Sequence, residues 1–118
     1  IRAWWEESGR PQIERFYNQE LGMEGDAPYF CEPFVAQAIV EQHLRWPSMW
    51  AVFPIQDLLA IDVFLRRPNP FEERINEPSN PQHYWRYRLH LTLEHLLEND
   101  HFSQKLRDLM LLSGRASD

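Results

Sequence analysis

Met49-Trp50-Ala51-Val52-Phe53-Pro54-Ile55 is short, almost wholly apolar and uncharged, and the polar pair Gln56-Asp57 follows it at once. A run of this kind, set between two helical patterns, reads as a β-strand buried on both faces, as the strands of parallel sheets are. One strand cannot satisfy its own backbone, because its N–H and C=O groups need neighbouring strands. No other stretch of the 118 residues reads as a strand. The expectation is therefore a piece of α/β architecture, mostly α-helical with one buried strand over residues 49–55, whose ladder partners lie outside these residues.

Outward from this strand the pattern turns helical. Upstream, Pro47 stops a helix that opens at Glu32-Pro33 and carries Phe34, Val35, Ala38, Ile39 and Leu44 as an apolar stripe. Before it, Gly22, Gly25, Asp26 and Pro28 make a loop. Trp4, Trp5, Ile13, Phe16 and Tyr17, arranged around the break Ser8-Gly9-Arg10-Pro11, predict a short helical turn and then a longer helix. Downstream, Gln56-Asp57 opens a helix to about Leu65, with Leu58, Leu59, Ile61 and Val63 for packing. Residues 66–82 hold four Pro and three Asn and read as a long ordered loop, of a length that tends to be functional. Asn80-Pro81 predicts a helix start running to about Asn99, and a last helix, capped by Asp100, spans residues 101–113 and ends at Gly114.

Composition narrows the chemistry. At 43% hydrophobic and 14% aromatic, the chain has enough apolar mass for a core, which excludes intrinsic disorder. Eighteen acids against twelve bases give a net charge of −6 and no basic footprint, so neither nucleic acid nor a membrane surface is expected as a partner. Eleven of the twelve cations are Arg, the planar multi-donor cation suited to fixed pairing. The lone cysteine, Cys31, excludes an internal disulfide and a Cys-rich zinc site; it reads as a packing residue and points to a reducing compartment. His90 and His95 stand five apart, on different faces of a helix, so no metal site is expected, and no cofactor motif appears. The start at Ile1 without an initiator Met suggests a piece of a longer chain.

Paired carboxylates occur at Glu6-Glu7 and Glu72-Glu73, but neighbours on a helix point about 100 degrees apart and do not converge on one bond. Both pairs read as solvated faces. Gln56 and Asp57 are different, because the carboxyl ends of parallel strands are where ligands bind, and a carboxamide beside a carboxylate suits a polyhydroxy ligand. Asp57 could equally cap the helix that follows, and residue type leaves both readings open. The cluster His83-Tyr84-Trp85-Arg86-Tyr87-Arg88 is suited either to stacking on sugar rings or to anchoring its helix.

Longer motifs go further. Phe53-Pro54-Ile55-Gln56-Asp57-Leu58-Leu59, then Arg74-Ile75-Asn76-Glu77-Pro78, then His83-Tyr84-Trp85-Arg86-Tyr87-Arg88 resemble the C-terminal end of the 4-alpha-glucanotransferases, the amylomaltase or disproportionating-enzyme family. The opening Arg2-Ala3-Trp4-Trp5-Glu6-Glu7 is similar to the segment that follows the seventh barrel strand in that family. The wording of these motifs is most like the long plant-cytosolic and gut-bacterial subgroup; Ser79 and Tyr84 stand where the short enzymes have Gly and Asn.

The resemblance implies a (β/α)8 barrel that transfers α-1,4-glucan segments with retention of configuration, using two carboxylates roughly 5 Å apart. It also implies that the catalytic Asp and Glu residues lie upstream of position 1, so this chain supplies none of them. Residues 1–118 would be a single C-terminal segment of the barrel, with residues 49–55 as its eighth strand. Gln56 and Asp57 would sit at the rim of the sugar cleft, and Asn76 would shape that rim. The implied partners are a maltooligosaccharide or glucan substrate and the rest of the chain's own barrel. The excised segment is expected to be inactive alone and to associate with itself. The rival readings are a stand-alone glucan-binding module and a helical protein-interaction module.

Overall fold

The computed structural model describes residues 1–73, 81 and 88–116. Helix α1 (Arg2–Glu7) ends at Ser8, and α2 (Arg10–Arg15) starts behind Gly9 with Pro11 in its first turn, where a missing N–H costs nothing. Because Phe16 keeps helical dihedrals, α2 runs straight into a π-helical turn, Phe16–Glu20. This pair of helices seats Trp5, which is buried, lies edge-on to Phe16 and Tyr17, and donates from Nε1 to the Pro28 carbonyl at 3.0 Å. Trp4, one position earlier, stays 40% exposed.

Helix α3 (Pro33–Arg45) starts and stops where the sequence places it, with Val35, Ala36, Ile39, Val40 and Leu44 buried along one face. Its exit is fastened from the far end of the chain. Arg115 donates from Nε to Leu44 O at 2.6 Å and from Nη2 to Trp46 O at 3.0 Å and Ser48 O at 2.9 Å, so one guanidinium holds the turn that leads into residue 49. Arg115 directly follows Gly114, whose φ of +79° is the left-handed conformation that a helix C-terminus commonly needs.

The expected strand over residues 49–55 does not form. Residues 49–54 have no regular secondary structure, Ile55 is already the first residue of helix α4 (Ile55–Leu59), and no strand occurs among the described residues. Met49, Trp50 and Val52 are 89%, 77% and 83% exposed, the opposite of a strand covered on both faces. The cause is physical: a strand exists through its ladder, and among the described residues nothing offers this run a second row of amides and carbonyls. The α/β expectation is therefore corrected to a mostly helical chain. Between this segment and helices α3 and α6 (Asp100–Leu112) lies an apolar groove of about 710 Å³ lined by Val40, Leu44, Trp50, Phe53, Leu106 and Met110.

Two further helices differ from expectation. The helix opened at Asp57 stops at Leu59 instead of reaching Leu65, because Asp62 accepts from the amides of Phe64 at 2.8 Å and Leu65 at 3.3 Å and so bends the chain into turns. Ile61 and Leu65 are nevertheless buried. Of the helix expected from Asn80 to Asn99, residues 80 and 82–87 lie outside the described residues and residues 88–92 are not helical; α5 (Leu93–Glu98) begins behind Thr92, which accepts from His95 N at 3.1 Å. Helix α6 is capped by Asn99, whose Oδ1 accepts from Phe102 N at 2.9 Å, and Asp100 becomes its first residue. Phe102 and Leu109 are its buried residues. The core gathers Trp5, Ile13, Val35, Val40, Leu59 and Leu109 from α1, α2, α3, α4 and α6, with Ile61 and Leu65 from the turns after α4.

Candidate functional site

Gln56 and Asp57 both lie in the first turn of α4, behind the extended N-cap Pro54. Asp57 does not cap that helix: no side chain makes a cap bond there. Its Oδ1 instead accepts from the Ile1 nitrogen at 3.1 Å, across 56 positions of chain. Gln56 is buried, and its Nε2 donates to the main-chain carbonyl of Glu73 at 3.2 Å. Each residue keeps one oxygen, Gln56 Oε1 and Asp57 Oδ2, without a partner among the described residues.

The bond from Gln56 leads to a buried ion pair. Arg2 and Glu73 are 4% and 7% exposed, with Arg2 Nη1 at 2.6 Å from Glu73 Oε1. The same guanidinium donates from Nη1 to Arg67 O at 2.5 Å and from Nη2 to Pro68 O at 3.4 Å, while its Nε is buried without a partner. Glu73 ends a 3₁₀ turn, Pro70–Glu73, so Arg2 grips both ends of the stretch from 67 to 73. Arg67 in turn pairs with Glu72 at 3.7 Å and donates to the Arg88 carbonyl. Burial pushes the Glu73 carboxyl above its ordinary value, and the Arg2 guanidinium opposes that rise.

Beneath this cluster Arg66 donates from Nη1 to the Cys31 carbonyl at 2.7 Å; burial and the Arg2 charge pull its own pKa down. Burial pushes the Cys31 thiol up to about 12, so it is a protonated packing group at neutral pH, not a nucleophile.

The structure therefore brings two of the three expected site residues together. Asn76 lies outside the described residues, as do His83, Tyr84, Trp85, Arg86 and Tyr87 of the aromatic cluster. Arg2 and Glu73 were not singled out as site neighbours by the sequence, and Glu73 is a correction: it was expected on a solvated face beside Glu72 and is buried instead. Only the dominance of Arg over Lys hinted that these cations hold fixed partners. Chemically the arrangement sets a carboxamide, tied to a main-chain carbonyl, beside a carboxylate. Among the described residues it contains no pair of carboxylates set across a bond.

Comparison with known proteins gives the chain a family context. The sequence pattern of the 4-alpha-glucanotransferases matches residues 1–93. The chain is 49% identical over 117 residues to the 4-alpha-glucanotransferase DPE2 of Oryza sativa subsp. japonica, an alignment that covers 98% of this chain and 12% of the relative. No solved structure matches.

Proposed function

Because the chain belongs to the 4-alpha-glucanotransferase family, we propose that it is part of an enzyme that moves α-1,4-glucan segments or glucose between maltooligosaccharides and other glucans. The observation that carries this reading is the 49% identity to such an enzyme along almost the whole chain. The transfer is retaining, through a glycosyl-enzyme intermediate, and the nucleophile and acid/base belong to the part of the protein beyond these residues.

In this reading residues 1–118 are one segment of a (β/α)8 barrel, and residues 49–55 become its eighth strand once neighbouring strands supply the ladder. The uncovered Met49, Trp50 and Val52 support that role, since side chains of this size are exposed here and find apolar cover in a barrel. Gln56 and Asp57 then stand at the carboxyl end of that strand, the end at which barrel enzymes bind substrate. Gln56 Oε1 and Asp57 Oδ2 accept from glucose hydroxyls, and Asn76, three positions beyond Glu73, completes the rim. The working partners are a starch-derived or maltooligosaccharide substrate and the remainder of the enzyme, in the cytoplasm.

The test uses the full-length protein and maltotriose. Glucose and maltooligosaccharides longer than maltotriose are expected as products, with the α configuration retained by NMR. Hydrolysis without any longer product would remove the transferase reading. The 118-residue chain alone is expected to give no turnover, and measurable turnover would put the reacting carboxylates inside it.

A further inference from the structure

We infer that Arg2 and Glu73 are positioning residues for the glucan rim: their buried pair fixes the direction in which Gln56 presents its open oxygen beside Asp57. The inference rests on the rim reading of Gln56 and Asp57 given above. Three segments far apart in sequence meet at one guanidinium. Arg2 bonds the carboxylate of Glu73 at 2.6 Å and the carbonyls of Arg67 at 2.5 Å and Pro68 at 3.4 Å. Glu73 passes the restraint on through its carbonyl, which receives Gln56 Nε2 at 3.2 Å. The start of α1 therefore holds Gln56 through Glu73.

Stability alone is a poor account of this arrangement. A buried ion pair is seldom worth more than apolar side chains of the same size, and this one leaves Arg2 Nε buried without a partner. What it does supply is direction. A free glutamine or aspartate samples several rotamers, and each polar side chain held in one rotamer by an internal bond meets a sugar hydroxyl without further ordering.

The experiment measures maltotriose transfer by the full-length enzyme, with KM, kcat and thermal unfolding midpoint for each variant. Gln56→Ala is expected to raise KM about three- to tenfold, the worth of a neutral hydrogen bond, and Asp57→Ala about tenfold or more, the worth of a bond to a charged acceptor. The double variant Arg2→Met/Glu73→Met is expected to raise KM by the same factor as Gln56→Ala while kcat and the midpoint stay near those of the parent. Glu73→Gln keeps an acceptor for Arg2 and the same backbone, and is expected to keep KM near the parent value. Arg2→Lys, whose compact ammonium lacks the planar fork that spans these separated acceptors, raises KM and decides the matter if the double variant does not fold. If Gln56→Ala and Asp57→Ala leave KM unchanged, the rim reading itself is wrong. If they raise KM while folded Arg2→Met/Glu73→Met or Arg2→Lys does not, the rim stands and the positioning role is overturned.

Discussion

Glu73 shows how much one side chain's setting depends on contacts that its neighbours in sequence do not reveal. Beside Glu72, which is exposed, it is buried against Arg2, and burial raises its pKa. A carboxyl whose folded value lies above its unfolded one binds its proton more tightly in the folded chain. Its contribution is then full below the ordinary carboxylate range and is lost as pH rises through the folded value. Glu73→Gln has no proton to lose, so its melting temperature relative to the parent is expected to improve as pH rises from about 4 to about 7. A difference that stays flat with pH would mean that Arg2 fully offsets the burial. Gln56 and Asp57 were legible as polar residues at the end of an apolar run. Their bonds to Glu73 and Ile1 were not, since those partners stand 17 and 56 positions away.

Helices were readable where one apolar face and a terminating residue agree. Helix α3 has both, a stripe from Val35 to Leu44 and Pro47 beyond it. Its opening behind Glu32 and its close at Arg45 follow from local chemistry alone. The helix after Asp57 failed because Asp62 turns its carboxylate onto the amides of Phe64 and Leu65, a side-chain competition that apolar spacing does not register. The cap of α6 was misplaced by one residue, which matters for mutagenesis. Asn99→Ala is expected to cost about 1 kcal/mol, because Asn99 Oδ1 takes the Phe102 amide, and the helix it starts buries Phe102 and Leu109. Asp100→Ala removes only a first-turn charge and is expected to cost a few tenths of that. Thermal unfolding of the two variants checks the order, and an equal loss for both would contradict the Asn99 cap.

For the whole molecule, the Cα radius of gyration is 15.4 Å, against about 13.5 Å for a compact domain of this length. The open face is that of Met49, Trp50 and Val52, over an apolar groove. Uncovered apolar side chains beside unpaired backbone favour association between copies. The 118-residue chain is therefore expected to run larger than a monomer in light scattering, and Trp50→Glu/Val52→Lys is expected to shift it back toward the monomer. A parent chain that is monomeric at high concentration would show that this face needs no cover. The sequence by itself determined the family, the helix α3 and the apolar character of residues 49–55, because these depend on residue identity and on spacing within one segment. Only the tertiary structure decided that this run stays uncovered and without a ladder, that Gln56 reaches the Glu73 carbonyl, and that Arg2 joins Glu73. Those outcomes depend on which distant segments come within hydrogen-bonding reach, and a strand cannot be one without neighbours to bond.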